Sequence, residues 1–226
     1  MKYFTNYSKA YLITSNVALL FFTLFTIFLI PFFPIELHKT LFSISFTAIF
    51  LLSALALEKN RGKIFNIAVL VVIIEWLSEI LNIEYLSQLS LLINIIFFDL
   101  LVILFIYQIA RAQTVTPQVI MESINGYLML GLSFSILIAL ISTFDQRAFS
   151  FPHLTENAVQ NVSQFSNYTY YGFVTLTTLG YGDVVPHSSA AKSLSILIAI
   201  TGQMYIAIII AALVAKYLNQ SKSKQK

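Results

Sequence analysis

Cysteine is absent from the 226-residue chain, which excludes a disulfide framework and thiolate metal sites. Charge is scarce: Asp, Glu, Lys and Arg together make up 10% of the residues, against about 25% in a soluble domain. Hydrophobic residues make up 58% and mean hydropathy is +0.82. That balance argues against a soluble core and for a membrane protein. The net charge is only +3, which gives a nucleic-acid partner no support. No cluster of metal ligands and no nucleophile with a nearby base stands out, so an enzyme is not expected.

What the chain does have is long apolar runs. A helical span needs about 20 apolar residues. Six segments meet or approach that length: 11–30, 40–57, 64–81, 89–110, 124–141 and 190–218. Lys2 and Lys9 precede the first run, but it is longer than a signal-peptide core and no small-residue cleavage pattern follows it, so it reads as a retained span. Pro31 and Pro34 are expected to end that helix. Residues 58–63, 82–87 and 114–117 read as loops between spans, and 142–166, with Pro152, as a longer polar loop. With both termini on the cytoplasmic side, ten cations fall inside: Lys2, Lys9, Lys59, Arg61, Lys63, Arg111, Lys216, Lys222, Lys224 and Lys226. Only Lys39, Arg147 and Lys192 fall outside. The bias fits the tendency of cytoplasmic loops to carry lysine and arginine.

One stretch interrupts the apolar pattern. Residues 175–183 read TLTTLGYGD, at the end of a segment (167–178) too short to span and ahead of the last span. A short apolar segment of that kind reads as re-entrant or interfacial. Irregular backbone at membrane depth is tolerated only inside protein or along a watery cavity. Thr178, Leu179, Gly180, Tyr181 and Gly182 are therefore expected to line one. An extended strand can aim successive carbonyls at a common axis, and a ring of carbonyls replaces the hydration shell of a cation. Facing all carbonyls one way requires unusual dihedrals, which Gly180 and Gly182 adopt at little steric cost. Thr178 adds a hydroxyl oxygen, and Tyr181 is expected to wedge outward among aromatic side chains. The preceding short helix would point its negative C-terminal end at the same axis.

These residues resemble the signature of the potassium-channel family, T-x-G-Y-G followed by aspartate. The resemblance covers residues 124–218, as outer helix, pore helix, selectivity filter and inner helix. It implies an all-α integral membrane protein of six transmembrane helices, with a re-entrant pore helix and filter loop between the fifth and sixth. It also implies potassium ions held at Thr178, Leu179, Gly180 and Tyr181, with Gly182 completing the filter and Thr177, Asp183, Tyr170 and Tyr171 supporting it. Leu179 stands where valine is more usual. Tyr170 and Tyr171 stand where the family often has a tryptophan pair. Val174 stands where some members carry a glutamate paired with the filter aspartate, so that pair is expected to be missing. Gly202 occupies the position of a gating hinge, although close helix packing is an equal use of glycine there. Thr201 and Gln203 beside it are polar and able to face the cavity. One chain supplies one filter strand, so a homotetramer around a fourfold axis is implied. No cofactor is expected beyond permeant potassium ions, and the partners are those ions, the lipid bilayer and identical subunits.

The resemblance weakens in the first four helices. Residues 1–113 occupy the place of a voltage sensor, 114–218 form the pore domain and 219–226 a short tail. A sensor helix is rich in arginine, yet 89–110 has none and Arg111 is the first cation after Lys63. Steep voltage gating is not expected. Three acids lie within spans, Glu75 and Glu79 on one face of the third helix and Asp99 in the fourth. Such residues are candidates for a proton or cation sensor, although a buried carboxyl that stays protonated and hydrogen-bonds helices together is the plainer reading. His38, His153 and His187 fall on the outside. Only eight residues follow Leu218, so no regulatory domain is expected at that end. The short loops suggest a bacterial cell membrane. Two other readings stay open: a non-selective cation channel, in which Leu179 loosens the filter, and a non-conducting regulatory membrane subunit.

Overall fold

The structure, a computed structural model, describes residues 2–81, 84–151 and 164–224. Those residues are almost entirely helical: α1 (Lys2–Leu24), α2 (Ile35–Ala56), α3 (Arg61–Leu81), α4 (Glu84–Arg111), α5 (Pro117–Phe144), α6 (Gln164–Leu176) and α7 (Ser189–Lys224). Two short strands, β1 (Phe149–Ser150) and β2 (Val185–Pro186), pair antiparallel, with Phe149 opposite Pro186. Among the described residues, five helices are long and apolar enough to cross a membrane: Tyr11–Phe32, Ile35–Ala56, Leu89–Arg111, Pro117–Phe144 and Ser189–Leu218. Segment 64–81, expected as a further span, is helical as α3 but is not among these five.

The chain divides into two compact units, Met1–Thr26 with Phe42–Gly126 and Ile27–Leu41 with Tyr127–Lys226. In the first, α3 packs along α4. Helix α4 buries Phe98, Leu101, Val102, Phe105 and Ile109, spaced three and four apart, and exposes Ile96 and Ile103. A helix that is apolar on both its buried and its exposed face belongs in lipid rather than water. Polar side chains tie the helices of this unit: Ser78 and Ser90 hydroxyls lie 3.0 Å apart, and Trp76 Nε1 donates to Thr47 Oγ1. Gln108 clamps the 58–60 turn, accepting from the Glu58 amide at 2.8 Å and donating to the Ala56 carbonyl. In the second unit, α6 lies against α7.

Several element boundaries differ from those read in the sequence. Pro31 does not stop the first helical segment. After Leu24 the chain continues as a π-turn (Phe25–Leu29) and a 3-10 turn (Ile30–Phe32) that holds Pro31 in its first positions, where a missing N–H is harmless. The break falls at Phe33, just before Pro34. Most of the expected 82–87 loop is helix, because α4 begins at Glu84; Asn82 lies outside the described residues. Helix α5 begins at Pro117 rather than 124, since proline suits the first helical position and Thr116 Oγ1 accepts from the Val119 amide. Helix α6 begins at Gln164, inside the expected loop, whose Pro152 and His153 lie outside the described residues.

Candidate functional site

Helix α6, at 13 residues, is too short to cross a membrane. It ends at Leu176, and the backbone from there to β2 has an alternating form. Thr178, Gly180 and Gly182 have φ of +61°, +56° and +79°, whereas Leu179 and Tyr181 are not in the positive region. The amides of Leu179 and Gly180 both turn back onto the Val174 carbonyl, at 3.0 and 3.2 Å. In a trans peptide N–H and C=O point in opposite directions. The carbonyls of Thr178 and Leu179 therefore point away from α6. Positive φ is easy for glycine but costs a side-chain-bearing residue about 1–2 kcal/mol, so Thr178 must be held. Its amide donates to the Thr175 carbonyl at 3.0 Å and its hydroxyl to the Thr177 carbonyl at 2.6 Å. Gln203 Nε2 of α7 donates to the same hydroxyl oxygen at 3.1 Å.

Side chains around the loop fix both its ends. Tyr170 donates its hydroxyl to Asp183 Oδ2 at 2.6 Å, and this bond pushes the Tyr170 hydroxyl up to about 12. Asp183 thus finds on α6 a tyrosine in place of a glutamate, and Val174 serves through its carbonyl. Tyr171 is buried. Its hydroxyl lies 2.6 Å from Ser195 Oγ, and since Ser195 donates to the Ala191 carbonyl, tyrosine is the donor. The Tyr171 ring also meets Phe149 of β1 edge-on. Downstream, β2 on β1 and the His187 amide on the Ala148 carbonyl (2.8 Å) hold the exit of the loop. Thr177 donates to the Phe173 carbonyl at 2.7 Å. All residues from Thr177 to Asp183 are exposed in the single chain, Leu179 by 56% and Tyr181 by 67%. Tyr181, expected to wedge outward among aromatic side chains, is exposed in the single chain.

Gly202 is buried where α7 passes the end of α6. A Cβ there would come within 1.9 Å of the Leu176 carbonyl oxygen. Helix α7 is continuous through this point. Of the three acids expected within spans, Glu75 and Asp99 are half-buried on α3 and α4, in the first unit; the Glu79 side chain is outside the described residues. His38 is buried in α2, and its Nε2–H donates to the Phe33 carbonyl at 2.8 Å. His187 is exposed.

Gln203 was expected only to be able to face the cavity; its bond to Thr178 had no signal in the sequence. Glu122 lies inside α5, only 2% exposed, and was passed over because the span was started two residues after it.

Residues 127–219 match a protein-family model described as an ion channel. No curated protein and no solved structure matches the chain. The matched stretch lies within the second unit and takes in α6, the 177–183 loop and most of α5 and α7. It supports an ion channel, a transport protein rather than a catalyst. With the five apolar helices it indicates an integral membrane protein.

Proposed function

We propose that four copies of this chain form a potassium-selective channel whose filter is built from Thr178, Leu179, Gly180, Tyr181 and Gly182. The observation that carries the proposal is the alternation of positive φ at Thr178, Gly180 and Gly182 with the amides of Leu179 and Gly180 turned onto α6. That arrangement frees a row of carbonyls on the opposite edge. A row exposed at membrane depth must be covered by protein or line water, and four such rows around an axis replace the hydration shell of potassium. Leu179 contributes its backbone in the same way as any residue there, so its side chain gives no ground for a non-selective filter. Helices α5, α6 and α7 then act as outer, pore and inner helix, with α6 re-entrant. The remaining helices, α3 included, complete six spans with both termini cytoplasmic. Helix α4 carries a single basic residue, Arg111, in its last turn. One charge moved through 100 mV yields only about 2.3 kcal/mol, so gating is not steeply voltage-dependent.

The purified chain in liposomes under a potassium gradient is expected to give a reversal potential that tracks potassium and not sodium. A reversal potential that follows sodium equally would establish the non-selective reading. A silent preparation that is folded and tetrameric would favour a non-conducting subunit.

Tyr170→Phe removes the hydroxyl that donates to Asp183 at the filter mouth and keeps the ring. The variant is expected to conduct at first and then to lose flux faster during sustained permeation. Because the bond, with lesser help from desolvation and the nearby Asp183 and Tyr181, raises the Tyr170 value from about 10 to about 12, its contribution is complete below pH ~10 and is lost as pH rises through about 12. Wild type should thus approach the variant only in strong alkali. Equal decay rates for the two proteins at neutral pH would show the bond to be idle.

A further inference from the structure

The first unit contains a cavity of about 920 Å³ beside the 58–60 turn and the α4–α5 connection. Ile13, Ile64, Leu104 and Val119 give it apolar walls, and Lys59 and Arg111 lie at its rim. Glu122 lines it as well and is only 2% exposed. Its hydrogen bonds come from neutral amides: Gln118 Nε2 at 2.9 Å and Asn16 Nδ2 at 3.2 Å, both onto Oε1, with Gln108 a third partner. Asn16 is itself fixed, donating to the Leu12 carbonyl and accepting from Asn125 Nδ2 at its own carbonyl. Among the described residues Glu122 makes no ion pair. Arg111 is turned instead over the Tyr107 ring, 4.6 Å from its centre, and Lys59 is exposed.

A buried carboxyl without a counterion is relieved either by holding a proton or by a cation that joins it, and a cavity beside it leaves room for the second. A bare metal ion would require several oxygen ligands, whereas the groups that converge on Glu122 are N–H donors. The volume falls in the range of small-molecule pockets, about 300–1,000 Å³, whose walls are mainly apolar with a few placed polar groups. We propose that this cavity binds an organic cation, a protonated amine with an apolar body. Its ammonium meets Glu122, and its body lies against Ile13, Ile64 and Leu104.

The full chain in lipid nanodiscs is titrated with n-hexylamine, a cation at neutral pH, and binding is read by saturation-transfer NMR with empty nanodiscs subtracted. No current is measured, so the result is separate from that of the channel proposal. Saturable binding is expected. It should weaken about ten-fold or more in Glu122→Gln, the scale of losing one charge-assisted contact. It should weaken likewise in Ile64→Trp, which fills the cavity and leaves the carboxylate in place. n-Hexanol, with the same body and no charge, should bind far more weakly than the amine. Should Glu122→Gln fail to fold, the comparison of amine with alcohol on the unaltered chain decides. Equal binding of amine and alcohol, unchanged binding in Glu122→Gln, or displacement of the amine by equimolar sodium would each overturn the proposal.

Discussion

Replacing Gly180 with alanine is expected to abolish potassium flux while leaving the chain folded. Nothing lies within 4 Å of a Cβ built at this position, so the change meets no neighbour within the chain. The effect comes from the backbone, because φ is +56° and the left-handed region costs alanine about 1–2 kcal/mol. Four strands bear the same change at once, about 4–8 kcal/mol for the pore. Rotating the peptide relieves that strain and turns a carbonyl out of the row. At 1.4 kcal/mol per ten-fold, the population with all four strands aligned falls by on the order of 10³ or more. Gly62→Ala provides the control. Gly62 also has nothing within 4 Å and no positive φ, and it lies in the first turn of α3. Alanine there should leave flux intact and stabilise the helix by up to about 1 kcal/mol. Liposome flux of the two variants, with folding checked by tetramer migration, separates a conformational requirement for glycine from a general intolerance of substitution. If Gly180→Ala conducts potassium as the wild type does, the carbonyl-row proposal fails.

How much of this was legible in the sequence depends on how local each feature is. The glycines that take positive φ are visible as letters, since alternating handedness over a few residues is a short-range requirement. That Thr178 shares their handedness was not visible. A β-branched residue takes that conformation only when its surroundings force it, and here the force includes Gln203, 25 positions away. The partner of Asp183 was missed for the same reason: Tyr170 sits 13 residues earlier, across a helix end whose geometry no pattern records. The apolar runs marked the helices well but not their ends. Pro117 and Thr116 start α5 early, because capping chemistry rather than hydropathy sets that terminus; α4 likewise starts early, at Glu84. Misplacing the start of α5 also concealed Glu122, whose partner Asn16 is 106 residues away. Glu122 stands out because a cavity and its hydrogen bonds surround it.

Gly202→Ala should lower the thermal stability of the protein, and the sign of that change distinguishes two uses of glycine. As a hinge, Gly202 would be needed for its flexibility. Alanine would then strengthen α7 by about 1 kcal/mol, leaving the melting temperature unchanged or raised and altering only gating. As a packing residue, it is needed because α7 passes against the end of α6. A Cβ would lie 1.9 Å from the Leu176 carbonyl oxygen, 2.8 Å from the Leu176 carbonyl carbon and 3.0 Å from its Cδ1. Two of those atoms are backbone, so no rotamer change relieves the overlap. Forcing an extra methyl into a packed contact costs about 1–3 kcal/mol, more than the helix gains. The strain has one direction in which to go. Leu176 is the last residue of α6, and Thr177 and Thr178 follow it directly. Pushing its carbonyl away moves the strand on which Gln203, the next residue of α7, makes its hydrogen bond to Thr178. Lower stability together with reduced potassium flux is the expected pair of results, from thermal unfolding of the detergent-purified protein and from liposome flux. A variant that melts at or above the wild-type temperature and differs only in opening would overturn the packing account and leave the hinge.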